Sequence, residues 1–421
     1  VTEWSKRNKK AAVIMHHFGC GVDAADPVQM ANRVMKEIAR LTRDELKPES
    51  DPDKTLEKLP EWLAMASAWA QRNKNELLIV LDGLDKLSDR QHLHWFPAFL
   101  PPRVKLVASC LQGGILDAAK ARLNWRELKV RSFTKTEQKE FIGKYLGRYR
   151  KSLTTRQTRT LQGHSLSGNP LFLLTVLEEL RVFGVHEKLE TRLSALLSPP
   201  PSKTQDEEPT VDDVFEHVLA RIEEDLGRKP VQAAMEAIWA SRSGLYQDEL
   251  LGIAETAKLT PAKWAVIQNA LDESLYESSG KINFGHDYLR KAVEDRYLSS
   301  PRRMHAVHLR LAKYFTTIAR DENGKWKRQE RRAMMENIHH FIKASALGKV
   351  EEILTDFSYL VEKLRSDCAG RIGNEYGALE SLRSDCRSLL ENGKTKKSPL
   401  RYWVNFLQRN FHALLRGSGR W

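Results

Sequence analysis

Residues 77–87, Leu-Leu-Ile-Val-Leu-Asp-Gly-Leu-Asp-Lys-Leu, constrain this chain more than any other stretch. Five apolar residues without alternation run into Asp82, and Asp85 follows three residues later. A short unbroken apolar run suits a strand buried on both faces, as in a parallel sheet. Open α/β sheets bind ligands off the carboxyl ends of such strands. A carboxylate there can hold Mg²⁺ directly or through water, with Gly83 supplying the sharp turn and Asp85 projecting toward an attacking water. The same residues would serve equally well as a core strand ending in an Asx turn that caps a helix.

A nucleotide site of this kind needs a phosphate loop, G-x-x-x-x-G-K-[ST], between a strand and a helix. Gly393-Lys394-Thr395 is the only GK[ST] in the chain, but Ser388 stands where the first glycine belongs and residues 382–390 read as helix. Gly19-Cys20-Gly21 follows a strand-like run, residues 12–15, but carries no lysine. Neither is a phosphate loop. Because the chain opens on Val1 in mid-pattern, the expectation is that a first strand and its phosphate loop lie upstream.

The chain has 421 residues and a net charge of +13. That length allows two to four domains with sizeable cores. No apolar run approaches the ~20 residues that span a membrane, and the start does not read as a signal peptide. Cys20, Cys110, Cys368 and Cys386 are scattered without C-x-x-C spacing, which suits a reduced, cytoplasmic protein. The pairs His16-His17 and His339-His340 lack metal-ligand company. Basic clusters at 6–10, 302–303, 325–332 and 394–397 are set among acids along most of the chain. They read as solvated faces before they read as a polyanion surface.

Strand and helix alternate at first. Residues 11–18 read as a strand. Asp26-Pro27 starts a helix to about Leu41, with Val28, Ala31, Val34, Met35 and Ile38 at helical spacing. Residues 47–58 read as a polar loop and 59–72 as a second helix. Residues 104–109 form a third strand after the Pro101-Pro102 turn, and 127–130 a short fourth. This alternation predicts a parallel sheet. From Thr134, which opens a capping box with Glu137, the pattern turns helical. Gly168-Asn169-Pro170 precedes a strongly apolar helix over 171–183, and 198–210 is a Pro-rich linker. Helices are predicted near 211–222, 231–241, 247–254 and 261–271, then a hairpin of 275–277 and 281–284 around Ser279-Gly280. Three helices and a hairpin are the make-up of a winged helix. Its acidic second helix, with Gln247-Asp248-Glu249 and Glu255, argues against DNA as a partner. The remainder, 301–421, reads as helical. Leu364–Cys368 recurs at Leu382–Cys386, but two copies do not make a repeat array.

In this order the pieces resemble a STAND-class signalling ATPase with a NACHT-type module. They are most similar to the subgroup of nephrocystin-3, telomerase-associated protein and bacterial NACHT proteins with WD or TPR repeats. The carriers are Asp82-Gly83-Leu84-Asp85, Ser109, Gly168-x-Pro170, and Phe284-Gly285-His286-Asp287-Tyr288-Leu289-Arg290. Residues 402–407 and 412–415 resemble the helix that precedes a WD propeller in such proteins.

The resemblance implies an α/β plus α fold. It would consist of an incomplete P-loop NTPase core (1–133), a helical subdomain (134–197), the linker (198–210), a winged helix (211–300) and a C-terminal helical domain (301–421). It implies ATP or ADP with Mg²⁺ as cofactors, with Asp82 as the Walker B metal ligand and Asp85 as the acid that orients the attacking water. Ser109 would occupy the sensor position near the γ-phosphate. Gly168 and Pro170 would pack on the adenine, and His286 would contact the ADP phosphate and lock a closed state. Lys86 stands where many relatives have a second acid, which bears on hydrolysis more than on binding. A phosphate-loop strand between the Asp82 and Ser109 strands is expected from the same likeness. The implied behaviour is a switch that self-associates on activation by a protein ligand sensed through C-terminal repeats. The other reading that the residues support is a non-catalytic scaffold with a degenerate nucleotide site.

Overall fold

The computed structural model describes residues 6–8, 10–18, 25–44, 52–87, 93, 96, 97, 99–122, 126–183, 188–200, 203, 207, 209–278, 280–368 and scattered positions from 382 to 410. The chain divides into two compact units, residues 1–128 and 129–421.

The first unit is built on β1 (Ala11–His17), β2 (Glu76–Asp82) and β3 (Val104–Ala108), in that order and all parallel. The register pairs His17 with Asp82 and Leu81 with Ala108, so the carboxyl ends of the strands finish level. Helix α1 (Pro27–Thr42) is started by Asp26, whose Oδ1 accepts the Val28 N–H at 2.8 Å, and by Pro27 at the first turn. It buries Val28, Ala31, Val34, Met35 and Ile38, as its spacing predicts. Helix α2 (Pro52–Arg72) follows, and α3 (Gly114–Arg122) comes after β3.

The sheet grows in one direction, β1 to β2 to β3, so right-handed crossovers put the connecting helices on one face. That face carries Ile14, Leu77, Ile79, Leu81 and Val104, all in one core with α1 and α2. The opposite face is less covered: Val13, Met15 and Leu78 are half-buried, and Val107 is 55% exposed.

Three expectations are corrected here. β2 and β3 hydrogen-bond directly from Leu77↔Val104 to Leu81↔Ala108, so no strand lies between the Asp82 and Ser109 strands. A further strand could add only at an outer edge. Residues 127–130 form no strand. With no neighbour to take their ladder bonds, Leu128 and Val130 stand 88% and 89% exposed. Finally, the polar segment before residue 59 is not all loop, because α2 begins at Pro52 and buries Leu56 and Leu59. Its apolar residues, Leu56, Leu59 and Leu63, recur at helical spacing across the expected boundary. Pro60 lies inside this helix, where it cannot donate the usual ladder bond to the Leu56 carbonyl. The Gly-Cys-Gly at 19–21 and the GKT at 393–395 lie outside the described residues.

The second unit is helical apart from one hairpin. Its elements are α4 (Lys135–Gly147), α5 (Thr155–Gly163), α6 (Pro170–Val182), α7 (Leu189–Leu196), α8 (Val211–Leu226), α9 (Arg228–Ala240), α10 (Gln247–Ile253) and α11 (Pro261–Ala270). Next come β4 (Leu275–Ser278) and β5 (Lys281–Phe284), paired antiparallel. Then follow α12 (Asp287–Tyr297), α13 (Pro301–Ala319), α14 (Arg331–Lys343), α15 (Leu347–Thr355) and α16 (Phe357–Cys368). The predicted capping box of Thr134 and Glu137 is present. Ser279 of the hairpin turn and the side chains of 364–368, with the first copy of the short repeat, lie outside the described residues. One continuous apolar core runs from Ile142 to Leu407.

Buried polar side chains tie this core together. Glu179 accepts from both Arg192 and Arg221. Between α13 and α14, His308 Nδ1 and His340 Nδ1 lie 3.0 Å apart, one donating and the other accepting. The His340 ring stacks parallel to Phe315 at 5.9 Å, and its Nε2 stands 3.5 Å from Glu336 Oε2. Burial, then the charges of His340, Lys343, His305 and Arg290, holds His308 down at about 3. Burial holds His339 well below the ordinary histidine range. Burial pushes the Glu336 carboxyl up, but His340, Arg332 and Arg242 outweigh it and leave it at about 2.

These shifts act in one direction. The unfolded chain takes up protons on these histidines near 6.5 and on this carboxyl near 4.5, before the folded chain does. Stability is therefore full above about pH 6.5 and is lost progressively toward pH 3. The thermal midpoint of the chain is expected to fall between pH 7.5 and pH 5. His308→Phe should flatten that dependence. A midpoint that does not move over this range contradicts the account.

Candidate functional site

The carboxyl edge of the parallel sheet gathers three polar side chains on one face: His17 ending β1, Asp82 ending β2 and Ser109 following β3. His17 Nδ1 donates to Asp82 Oδ2 at 3.0 Å, and Ser109 Oγ donates to Asp82 Oδ1 at 2.5 Å. The same Ser109 Oγ accepts the Gly83 N–H at 2.9 Å. Backbone bonds continue the zipper, from Ser109 N–H to Leu81 O at 3.0 Å and from Leu84 N–H to Ser109 O at 2.9 Å. Gly83 turns the chain with φ 78°, in the left-handed region that favours glycine. Burial pushes the Asp82 carboxyl up, but the bonds from Ser109 and His17 prevail and hold it below the usual carboxylate range. Asp82 is thus a stable anion whose side chain is 54% exposed.

Asp85 lies in the single 3₁₀ turn Leu84–Lys86. Its Oδ1 accepts the Leu111 N–H at 3.1 Å, and Lys86 Nζ stands 3.6 Å from its Oδ2. It is therefore tethered to the loop after β3 and carries its own cation.

The chemistry of this edge fits one end of a Mg²⁺ site. A carboxylate offers about four lone-pair positions. Asp82 uses two of them on His17 and Ser109, leaving one free on each oxygen. Mg²⁺ in nucleotide sites takes one or two carboxylates, with waters and phosphate oxygens completing its octahedron. Among the described residues no cluster of three or more His, Cys, Asp or Glu is placed to hold a metal by itself. The protein side of any such site is thus one or two carboxylates. The phosphate cradle, which needs backbone N–H groups and a lysine, has no counterpart motif in residues 1–421.

The other three predicted positions fall in the second unit. Gly168 closes a 3₁₀ turn, and its carbonyl accepts the Phe133 N–H at 2.8 Å. A Cβ there would lie 2.9 Å from the Ser132 Cβ, so glycine is what lets the 131–133 segment approach. Asn169 then caps α6, its Oδ1 accepting from Leu171 and Phe172, and Pro170 takes the first helical turn. Gly-Asn-Pro is therefore fully explained as a helix start, whatever else it contacts.

His286 precedes α12 without capping it. Its ring lies 6.1 Å from Phe215 on α8, and its Nε2 is buried with no partner. Burial holds it below the ordinary histidine range, so it is neutral near pH 7.

In sequence His17 is only half of a histidine pair without metal-ligand company, not a visible partner of Asp82. The signal was present: if 11–17 and 76–82 are adjacent parallel strands of equal length, the residues ending them are neighbours. What was missing was the pairing.

No family model matches the chain. The relatives it does resemble are large proteins. A TPR repeat-containing protein of Dictyostelium discoideum is 30% identical over 271 residues, which is 63% of this chain and 16% of that protein. Telomerase protein component 1 of Mus musculus is 23% identical over 71% of the chain and 12% of its own length. NACHT domain- and WD repeat-containing protein 1 of Homo sapiens is 25% identical over 55% of the chain and 16% of its own length. The chain is thus a distant relative of NACHT and repeat proteins. It spans no more than 16% of any of these three. No helix among the described residues is long and apolar enough to cross a membrane.

Proposed function

We propose that this chain is the core of a NACHT-type, STAND-class nucleotide switch that uses ATP and ADP with Mg²⁺. The observation that carries the reading is the aligned carboxyl edge of three parallel strands, where Asp82 is held ionised by Ser109 and His17. In this reading Asp82 is the Mg²⁺ ligand and Ser109 reads the γ-phosphate while fixing Asp82. Asp85 orients water once its carboxylate is released from Lys86. Gly168 and Pro170 pack on the adenine. His286 meets the ADP phosphate through its Nε2, just after a three-helix and hairpin segment with the make-up of a winged helix. When bound, Mg²⁺–nucleotide supplies the charge and the in-line leaving group; the residues here hold, orient and exclude. Relatives named for TPR and WD repeats support contact with other proteins; in this reading a protein ligand is sensed by repeats and triggers self-association. A cytoplasmic setting fits the scattered cysteines.

One observation favours a second reading, a scaffold with a degenerate site. Asp85 is occupied by Leu111 N–H and Lys86, so its carboxylate is not poised for water.

The experiment is nucleotide binding and turnover by the 421-residue chain and by any longer natural form that carries a phosphate loop. The chain alone is expected to show neither tight ATP binding nor hydrolysis, since backbone cradle and lysine are what bind phosphates. The longer form is expected to bind ATP in a manner dependent on Asp82. Lysine-dependent hydrolysis by the 421-residue chain refutes the first expectation. A longer form that binds no nucleotide gives the case to the scaffold.

A further inference from the structure

Residues 141–177 carry six cations, Lys144, Arg148, Arg150, Lys151, Arg156 and Arg159, and no Asp or Glu. At the chain's average of 55 acids in 421 residues, a stretch this long would hold about five. The fold gathers these cations at one end of a helical hairpin. Lys135 Nζ donates to the Gln162 carbonyl, and Gln162 Nε2 donates to the Lys135 carbonyl at 2.6 Å. The start of α4 thus lies beside the end of α5, and the two helices run antiparallel. The end of α4 and the start of α5, joined by residues 148–154, share the opposite end.

All six cations are exposed. Glu140 pairs with Lys144 at 2.6 Å, and Glu190 stands 3.8 Å from Arg156. Lys151 Nζ donates to the Arg181 carbonyl. Among the described residues the guanidiniums of Arg148, Arg150 and Arg159 have no hydrogen-bond or ion-pair partner. Arg150 also occupies an unusual place. Lys151 N–H bonds to the Leu146 carbonyl at 3.0 Å and Arg150 N–H to the Gly147 carbonyl at 3.1 Å, the paired bonds of a Schellman helix end. Arg150 takes the left-handed position of that end, with φ 55°, where glycine is the usual and less strained residue. Between Arg148 and Arg150, Tyr149 is 42% exposed. Arg181 lies 4.6 Å over its ring, and Tyr145 packs 5.6 Å away, so the ring is fixed in place.

The planar fork of arginine matches phosphate oxygens. Cations interleaved with an aromatic ring suit a single strand, whose backbone meets the charges and whose bases can reach the ring. A duplex groove takes a helix or a ribbon, whereas these cations sit on a turn and at helix ends. A membrane-surface segment sets apolar side chains among its cations, but here Leu146 is buried and Leu153 half-buried. We propose that this end of the α4–α5 hairpin binds single-stranded nucleic acid. Arg148, Arg150 and Arg159 bind the phosphates, and Tyr149 contacts a base. Neither Asp82 nor His286 takes part, so the proposal does not rest on the nucleotide reading.

The test is fluorescence anisotropy of labelled oligo(dT), and separately of oligo(U), titrated with the full chain at several salt concentrations. Saturable binding is expected, with log K falling against log salt at a slope of about −2 to −4, for three to five phosphate contacts at ~0.7 each. Arg150→Gly removes a cation and gives the left-handed position its preferred residue. It should keep or raise the thermal midpoint, weaken binding about fivefold or more and lessen the slope by ~0.7. Combining it with Arg148→Gln and Arg159→Gln should weaken binding about a hundredfold. Arg302→Gln with Lys313→Gln, which removes two exposed cations on α13, should change little. Equal weakening by that control pair, or undiminished binding by the triple variant, overturns the proposal. Tighter binding of a duplex, of phosphatidylserine vesicles or of polyglutamate, lost in the same triple variant, gives the surface to that partner and also overturns it.

Discussion

An Arg332→Ala chain is expected to be less stable than the native chain by about 3–5 kcal/mol, the cost of breaking a buried charge pair from one side. Arg332 spends its whole guanidinium on one junction. Its Nε and Nη2 grip the two oxygens of Glu249 on α10 at 2.6 and 3.0 Å. Nη2 also reaches the Gly244 carbonyl at 2.6 Å, and Nη1 reaches Ser243 Oγ at 3.1 Å and Glu336 Oε1 at 3.3 Å. The plane is stacked 5.3 Å from the Tyr246 ring and 5.8 Å from Phe315. Alanine would leave Glu249 without its cation and the buried Glu336 with only His340 and Arg242 to offset its charge. Lysine would keep the charge but lose the fork, so Arg332→Lys should recover only part of the stability. Urea unfolding with an unchanged slope is the measurement. A loss under about 1 kcal/mol would place Arg332 with ordinary surface pairs and contradict the junction.

The second large effect concerns chemistry. In a form that carries a phosphate loop, Asp82→Asn should lower turnover by on the order of a hundredfold or more. A cation's stabilisation of transition-state charge is worth several kcal/mol, and each ~1.4 kcal/mol is tenfold in rate. The asparagine keeps the size and one acceptor for Ser109, so folding should be nearly untouched, while the anion that faces solvent is gone. Ser109→Ala should act in the same direction but less, because it frees one Asp82 oxygen rather than removing the charge. It also removes the acceptor for the Gly83 N–H. An Asp82→Asn form that turns over ATP at the native rate would take Asp82 out of the metal's coordination.

Much of the sheet was legible because its signal is local. The apolar run 77–81 had to be buried on both faces, and it is the central strand. Pro27 behind Asp26, the Thr134 box and the hairpin around Gly280 are likewise set by neighbours in sequence. What was misread depended on distant partners. Residues 127–130 have strand composition, but a strand needs a neighbour, and none pairs with them. Strand order could not be taken from apolar runs alone, so the direct pairing of β2 with β3 was missed. At the site, Asp82 and Ser109 were visible as strand ends. His17 beside Asp82, and Lys86 and Leu111 on Asp85, emerge only when the chain is folded.

The most direct test of the central claim is a Mn²⁺ titration of the chain with ¹³C-labelled histidine rings. His17 lies 3.0 Å from the carboxylate proposed to hold the cation, so its ring signal should broaden first, and Asp82→Asn should abolish that selectivity. Broadening that spares His17, or that persists unchanged in Asp82→Asn, would contradict a cation site at this edge of the sheet.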